Sequence, residues 1–264
     1  MEKQIMTVSH RNGMPGGPKR RDECDPAYSH MAPHYDFLLN HVDYRYWYNY
    51  IKMIMQVYHG IPRTVLEIGT GTGRFGSYFS RDGYTIVGLD LSVDMLQTAR
   101  LRAYNNFSLV AGDARALPFG RPFDFIFSVH DTMNYITNMA DLEKVFRSVL
   151  SVMDADSVFL FDLTTEYNVR TNFDAKVHSY EHNGWKIDWA NEYDSGRRII
   201  ESVITFTKGD IVKEEIHTQR IYTTDEVLGM LQALDFVLVE LYADYTYERP
   251  GPKTIMKNFV VKKR

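Results

Sequence analysis

Residues 64–76, TVLEIGTGTGRFG, decide the fold of this chain. The apolar run at 64–68 predicts a short buried strand, and Phe75, Tyr78 and Phe79 recur at the spacing of an amphipathic helix. The alternating glycines between these elements allow a sharp turn and let a ligand approach main-chain N–H groups closely. The start of the following helix adds unpaired donors and the positive end of a dipole. The stretch therefore predicts a strand, loop and helix that hold a nucleotide.

One pattern within this stretch favours a dinucleotide. Gly71-x-Gly73-x-x-Gly76 has the spacing of the fingerprint that binds NAD, and Asp90 follows at about the distance expected for an acid that bonds a ribose. The negatively charged pyrophosphate of NAD suits a bare helix N-terminus. An NAD(P)-dependent oxidoreductase is therefore an alternative for this chain.

A second pattern overlaps the first. Glu67-x-Gly69-x-Gly71-x-Gly73 resembles the first motif of the class I methyltransferases that use S-adenosylmethionine (SAM). SAM carries a sulfonium and an ammonium as well as a carboxylate, so the acids Glu67 and Asp90 near the loop favour SAM over a pyrophosphate. The resemblance implies SAM as cofactor and S-adenosylhomocysteine as product.

The composition is that of an ordinary globular protein. The chain has 264 residues, of which 44% are hydrophobic and 24% charged, enough for one large domain or a domain with an insertion. A net charge of -4 gives no sign of a nucleic-acid partner. The single cysteine, Cys24, excludes an internal disulfide framework, and the histidines show no metal-ligand spacing, so we predict no metal. With no secretory or membrane-spanning run, we expect a cytoplasmic monomer or homodimer without membrane contact.

After the glycine loop, predicted strands and helices alternate. Apolar runs at 84–89, 107–110, 123–129 and 157–161 are separated by helical patterns, including one from Ser92 to about Asn105. Such alternation is typical of an α/β fold with a doubly wound, Rossmann-like parallel sheet. Ligands of such sheets bind outside the carboxyl ends of the strands. We therefore expect the glycine loop, Asp90, Asp113 and His130 to meet there.

The pattern then changes to extended runs with turn signals between them. Runs at 176–182, 185–193, 197–208 and 211–222 are joined by turn sequences such as Asn183-Gly184, which predict an inserted antiparallel β subdomain over residues 164–222. Thr223 with Glu226 forms a capping box for a further helix. Two closing strands follow, at 236–242 and 257–262. A closing hairpin whose last strand runs antiparallel matches the seven-stranded methyltransferase sheet, which we expect to comprise residues 25–163 and 223–264.

The N-terminal part contains a Gly/Pro-rich segment at residues 1–24, which we predict to be a flexible arm. Residues 25–60 follow with a helical pattern. Within them, Tyr28-x-x-x-Ala32-x-x-Tyr35-Asp36 and Asp43-Tyr44-x-x-Trp47 resemble the N-terminal lid of glycine and sugar N-methyltransferases. The resemblance implies a lid that closes over SAM, with its tyrosines facing the active site.

The resemblance also implies roles for individual residues. Gly69, Gly71 and Gly73 would border the methionyl end of SAM, and Asp90 would accept bonds from both ribose hydroxyls. Leu91 and Met95 would pack on the adenine, while Asp113 and Ala114 would read its amino edge; Arg45 would pair the SAM carboxylate. The full cofactor set comprises Glu67, Gly69, Thr70, Gly71, Gly73, Asp90, Leu91, Met95, Gly112, Asp113, Ala114, Val129, Tyr28 and Arg45.

Two residues are candidates for the chemistry of transfer. Methyl transfer requires an acceptor held on axis and kept dry, and an amine or hydroxyl acceptor must also lose a proton. His130, after the fourth strand, is the candidate general base because its reference pKa is near 6.5. A structural histidine that bonds the backbone is the alternative. Tyr35 is the candidate that orients SAM or the acceptor through its hydroxyl.

These observations favour a SAM-dependent methyltransferase that acts on a small molecule, with nitrogen as the expected acceptor atom. The choice of nitrogen depends on the resemblance of the lid and the inserted sheet alone. Besides the oxidoreductase, a SAM-binding protein without catalysis is an alternative.

Overall fold

The computed structural model describes residues 7–10 and 25–264, with side chains for residues 25–264. The strands are β1 (Thr7–His10), β2 (Thr64–Ile68), β3 (Thr85–Asp90), β4 (Phe107–Ala111), β5 (Phe125–Ser128), β6 (Val158–Thr164), β7 (Lys176–His182), β8 (Trp185–Asp194), β9 (Ile199–Lys208), β10 (Ile211–Arg220), β11 (Phe236–Ala243) and β12 (Met256–Lys263). The α-helices are α1 (Tyr35–Leu38), α2 (Tyr44–Tyr58), α3 (Arg74–Arg81), α4 (Val93–Ala99), α5 (Met139–Ser151), α6 (Glu166–Asn168) and α7 (Thr224–Ala233).

The larger sheet has seven strands in the order β11-β12-β6-β5-β2-β3-β4. Strands β2 to β6 run parallel to one another, whereas β12 is antiparallel to both of its neighbours, β6 and β11. The predicted doubly wound fold with an antiparallel last strand is therefore confirmed. The parallel arrangement brings the carboxyl ends of β2 to β6 to one edge, where the polar loops after them meet.

Alternate residues of the central strands supply two cores, one on each face of this sheet. Every residue of β5 and β6 is buried, as expected for strands covered on both faces. Phe159 and Phe161 of β6 belong to the core formed with α5 and α7, whereas Val158 and Leu160 belong to the core formed with α2 and α3. Side chains alternate between faces along a strand, so one apolar run fills both layers.

The second sheet is antiparallel, with the order β1-β7-β8-β9-β10. Four of its strands are the predicted runs, and Asn183 and Gly184 both take positive φ in the hairpin between β7 and β8. The fifth strand, β1, lies in the segment predicted as a flexible arm and pairs with β7. The rest of residues 1–24 lies outside the described part of the chain. The lid residues Met31 and Leu38 are buried against this sheet.

Two predicted helices are shorter than expected. Residues 27–34 form turns rather than a helix, because Tyr28 has φ 70° and Pro33 disfavours helical geometry at the residue before it. Ser92 caps α4 as predicted, but the helix ends at Ala99 and not near Asn105. Arg102 beyond it donates a 2.8 Å bond to the carbonyl of Thr72, which holds that segment against the glycine loop.

Among the described residues, no helix is both long and apolar enough to cross a membrane.

We predict that Gly76→Ala destabilises the fold by about 1–3 kcal/mol, because the helix has no room for a side chain there. A Cβ at Gly76 would lie 2.2 Å from Cζ of Phe107, on β4. Urea unfolding, with the midpoint and slope compared between variant and wild type, measures the effect.

Gly229→Ala is the matched control, because Gly229 also lies within a helix but nothing is within 4 Å of a Cβ built on it. The control should leave stability unchanged or raise it by up to about 1 kcal/mol, since Ala is the better helix former. Equal stabilities for both variants would contradict the packing role of Gly76.

Candidate active site

A cavity of about 610 Å³ lies at the carboxyl ends of β2, β3, β4 and β5 and extends to the lid. It is lined by the glycine loop, by the residues after β3, β4 and β5, and by lid tyrosines. The predicted site residues that line it are Tyr28, Tyr35, Glu67, Gly69, Thr70, Gly71, Asp90, Leu91, Met95, Gly112, Asp113, Ala114, Val129 and His130. Residues far apart in the sequence are thus brought to one cavity by the strand order.

The glycine loop has the backbone geometry that its sequence requires. Gly69, Gly71 and Gly73 have φ values of 75°, 55° and 75°, a region that side chains disfavour. A Cβ at Gly69 would lie 2.4 Å from Cγ2 of Thr132, so the loop packs directly on the segment after β5. Gly73 does not line the cavity; a Cβ there would lie 3.0 Å from Cβ of Ala99, so its place is in the packing against α4.

Asp90 joins the loop to the end of β3. Its two carboxylate oxygens accept bonds from the backbone N–H of Gly71 at 2.7 Å and of Ser92 at 2.9 Å. Burial raises the pKa of Asp90, and these backbone bonds oppose the rise. The Gly71 N–H thus already donates to a carboxylate, which places a negatively charged group beside the loop. Both features disfavour a pyrophosphate at this position.

Glu67 lies beneath the loop and is buried. Its carboxylate accepts a 2.7 Å bond from the hydroxyl of Thr70, and burial raises the pKa of Glu67 to about 8. At neutral pH the side chain is therefore mostly protonated. Through its bond with Thr70, Glu67 stabilises the conformation of the glycine loop at the cavity wall.

Asp113 caps the short turn of residues 114–116 and bonds the guanidinium of Arg115 at 2.5 Å. Arg115 also contacts Asp141, at 3.2 Å, so it bridges two acids at the cavity rim. The Arg115 guanidinium lowers the pKa of Asp113, which stays ionised at neutral pH.

Arg45 is exposed on α2 and does not line the cavity, so the predicted contact with a SAM carboxylate does not fit its position. The arginine that lines this part of the cavity is Arg74, at the first position of α3. Its guanidinium pairs with Asp36 at 3.1 Å and lies 4.5 Å from the ring centre of Tyr44. Helical phase explains the error, since Arg45 lies on the outer face of an amphipathic helix whose inner face carries Tyr44 and Tyr48.

His130 and Tyr35, the two residues predicted for the chemistry, are in contact. The Tyr35 hydroxyl lies 3.0 Å from Nδ1 of His130. Burial, together with the smaller effect of His41, lowers the pKa of His130 to about 4, so the imidazole is neutral at neutral pH. It can accept or donate a hydrogen bond there but is a weak base.

The backbone at His130 and Asp131 is held in an unusual conformation, with φ values of 63° and 53°. Their N–H groups donate to the buried carboxylate of Asp162 at 2.6 and 2.8 Å. The buried Tyr245 also donates its hydroxyl to Asp162. Left-handed backbone at residues other than glycine costs energy, and these bonds stabilise it. Burial raises the pKa of Asp162 to about 7.

Three residues of this site were not predicted as site residues from the sequence: Asp162, Tyr245 and Tyr135. Asp162 lies within an apolar strand, where a single acid is itself a signal of a buried polar contact. Tyr245 and Tyr135 carry no motif, so only the fold brings them to the site.

The residues that line the cavity fit SAM in their backbone geometry and in their charge. The loop has three left-handed glycines, of which Gly69 and Gly71 line the cavity, and the acid at the end of β3, Asp90, is bonded to the Gly71 N–H and also lines the cavity. Acids outnumber arginines in the cavity wall, and both arginines, Arg74 and Arg115, are paired with carboxylates. This charge balance suits a ligand that carries positive charge.

Comparison with known proteins agrees with this geometry. A family model described as a methyltransferase domain matches residues 65–156. A protein of Geobacillus sp. (strain WCH70) named "Putative methyltransferase GWCH70_2453" is 26% identical over 247 residues, which cover 90% of this chain and 100% of that protein.

Solved structures show the same fold. A SAM-dependent methyltransferase from Clostridium acetobutylicum superposes with a TM-score of 0.77 at 24% identity, over 89% of this chain and 98% of that one. The sugar N-methyltransferase KedS8 from Streptoalloteichus sp. does so with a TM-score of 0.73 at 15% identity, over 96% and 100%. Residues 65–156 thus match a methyltransferase domain, and the chain has the class I fold of the SAM-dependent methyltransferases.

Proposed function

We propose that this protein transfers a methyl group from SAM to a nitrogen atom of a small molecule. The observation that carries the proposal is the single cavity, in which the glycine loop with Asp90 continues into a wall of lid tyrosines and acids. Tyr28, Tyr35 and Tyr44 of the lid line that second part, as an enzyme needs when it must keep water from its acceptor.

The cofactor part of the cavity has residues suited to each group of SAM. We propose that the carboxylate of Asp90 accepts bonds from the ribose hydroxyls, because it lines the cavity at the end of β3, beside the glycine loop, and a carboxylate suits two adjacent O–H donors. Leu91 and Met95 would pack on the adenine, and Asp113 with Ala114 would bond its amino edge. When bound, SAM supplies a methyl group on a positively charged sulfur.

The rest of the cavity favours a positively charged acceptor. Tyr28, Tyr35, Tyr44 and Tyr135 line it, and aromatic faces attract cations such as ammonium groups. The two arginines of the wall are already paired with acids, which leaves no free cation for an anionic acceptor among the lining residues described. The structural neighbour KedS8 is named as a sugar N-methyltransferase, which supports an amine as the acceptor.

We propose that His130 and Tyr35 together position the acceptor. Their mutual hydrogen bond and the bonds from the His130 backbone to Asp162 fix the imidazole at the end of β5. Fixed polar groups of this kind raise rates by holding the reacting atom in line. The neutral imidazole can accept a hydrogen bond from an amine.

Calorimetry and a product assay test the proposal. We expect binding of SAM and S-adenosylhomocysteine but not of NAD, followed by formation of S-adenosylhomocysteine with members of a panel of amino sugars and other amines. Tight binding of NAD without a response to S-adenosylhomocysteine would favour the oxidoreductase. Binding of SAM without turnover of any amine or hydroxyl compound would favour a SAM-binding protein. Turnover of hydroxyl compounds alone would move the acceptor to oxygen.

We predict that Asp90→Ala weakens binding of S-adenosylhomocysteine by about 10- to 150-fold, because charge-assisted bonds of ~1.5–3 kcal/mol are lost. Isothermal titration calorimetry gives the dissociation constants, and urea unfolding shows whether the fold is intact. Asp235→Asn is the control, since Asp235 is an exposed acid outside the cavity. An unchanged affinity in Asp90→Ala would refute the ribose contact.

We predict that His130→Asn lowers kcat by about 100-fold with little change in the dissociation constant of S-adenosylhomocysteine, because misplacing an acceptor is costly. Asn is chosen because it tolerates the positive φ of this position. Steady-state kinetics with a responsive amine and calorimetry separate the two effects. Equal losses in kcat and affinity would make His130 a cofactor-binding residue instead.

A further inference from the structure

A row of polar side chains on strand β10 contacts residues that follow β5. Glu215, His217 and Gln219 occupy alternate positions, so they point to the same face of the sheet. Glu215 and His217 are 0% and 2% exposed, and Gln219 donates a bond to Asp131. Burying a carboxylate and an imidazole is costly unless both are bonded, so their partners are informative.

The partners form a chain that ends in the cavity. The Tyr135 hydroxyl lies 2.9 Å from Nδ1 of His217, and Nε2 of His217 lies 2.9 Å from Oε1 of Glu215. A carboxylate only accepts, so Nε2 carries the proton and Nδ1 is left as an acceptor for the Tyr135 hydroxyl. Tyr135 itself lines the cavity, at the part proposed for the acceptor.

The lid completes this chain. The second oxygen of Glu215, Oε2, accepts bonds from the backbone N–H groups of His30 at 2.9 Å and Met31 at 3.3 Å. The ring of Tyr28 contacts that of His217, with centroids 4.7 Å apart. With the lid docked, both oxygens of Glu215 are bonded and His217 is shielded from water.

We propose that Tyr135, His217 and Glu215 form a relay that takes a proton from the acceptor amine and so makes it a nucleophile. The inference rests on the proposed function, because it requires an amine in the cavity. An ammonium has no lone pair for attack on carbon, so it must be deprotonated before it can react. A base oriented by a carboxylate within hydrogen-bond reach is the usual arrangement for such a step.

The proton moves in two linked transfers. An N–H bond of the ammonium breaks, and a new O–H bond forms at the Tyr135 oxygen. The original O–H bond of Tyr135 breaks at the same time, and its proton forms an N–H bond at Nδ1 of His217. The positive charge thereby moves from the acceptor to the imidazolium, beside the carboxylate of Glu215. The freed electron pair stays on the acceptor nitrogen.

The relay differs from the pair of His130 and Tyr35 in one respect that matters for a base. Nε2 of His217 lies 2.9 Å from a carboxylate oxygen of Glu215, which leaves Nδ1 of His217 to accept a proton, whereas Nδ1 of His130 is bonded to a tyrosine hydroxyl. The charged or titratable groups that face His217 are Glu215 on its own strand, Tyr135 and Asp131 after β5, and Tyr28 of the lid.

The first test reads the relay without turnover. Long-range ¹H–¹⁵N spectra of the protein saturated with S-adenosylhomocysteine give the tautomer of each histidine. We expect His217 to carry its proton on Nε2, and Tyr135→Phe to shift the signal of His217 Nδ1. A proton on Nδ1 of His217 in the wild-type protein would overturn the relay, because that nitrogen could then accept nothing from Tyr135.

The second test is a pH profile with an amine that the wild-type protein methylates. We expect His217→Gln to lower kcat by about 100-fold at pH 7. The loss should shrink as the pH approaches the pKa of the amine, because solvent then deprotonates the acceptor. The KM for SAM should be unchanged. A loss of the same factor at every pH would indicate a structural role and overturn the relay.

His178→Gln is the matched control, since His178 lies on β7 of the same sheet and outside the cavity lining. It should leave the pH profile as in the wild-type protein. If the wild-type protein methylates no amine, the proposed function fails and the relay falls with it. If amines are methylated but His217→Gln lowers kcat by the same factor at every pH, the relay alone is wrong.

Discussion

The carboxylate of Asp90 ties together the parts on which the site depends. It accepts the N–H of Gly71 from the loop after β2 and the N–H of Ser92 from the start of α4, so one side chain connects two neighbouring strand-loop-helix units. Parallel strands bring their carboxyl ends together, but they do not fix the conformation of the loops that follow. The shared carboxylate fixes the distance between these two loops and sets the charge of the cavity at that point. A loop held by an acid favours a ligand with positive charge.

Buried acids play the same part elsewhere in the molecule. Asp162 accepts two backbone N–H groups from the strained turn at His130 and Asp131, and Glu215 accepts two from the lid. In each case a carboxylate on a strand holds backbone from a loop that is distant in the sequence. Such bonds orient a loop more strictly than apolar packing does, because their distances and angles are narrow. The site is therefore positioned chiefly by strand acids that bond loop backbone.

Sequence reasoning named site residues most of which line the cavity, for a physical reason. Apart from the lid tyrosines, these residues lie at or soon after the ends of strands, and the order of strands in a doubly wound sheet places those positions together. It misjudged Arg45, because helical phase near a helix start depends on how the helix packs. It did not find Tyr135 or Tyr245 as site residues, because a tyrosine outside a motif has the same signature in a core as in a site. The bond of His217 to Tyr135 joins segments 82 residues apart, and no local pattern records it.

The sequence by itself determined the class of fold, the course of the glycine loop and the position of the inserted sheet. These depend on local spacing, on apolar periodicity and on turn residues, all of which are written along the chain. Only the tertiary structure decided which arginine borders the cavity, how the turn at His130 is held, and that Glu215 bonds the backbone of residues 30 and 31. These contacts join side chains to backbone across different elements, so their geometry exists only once the two sheets and the lid have packed.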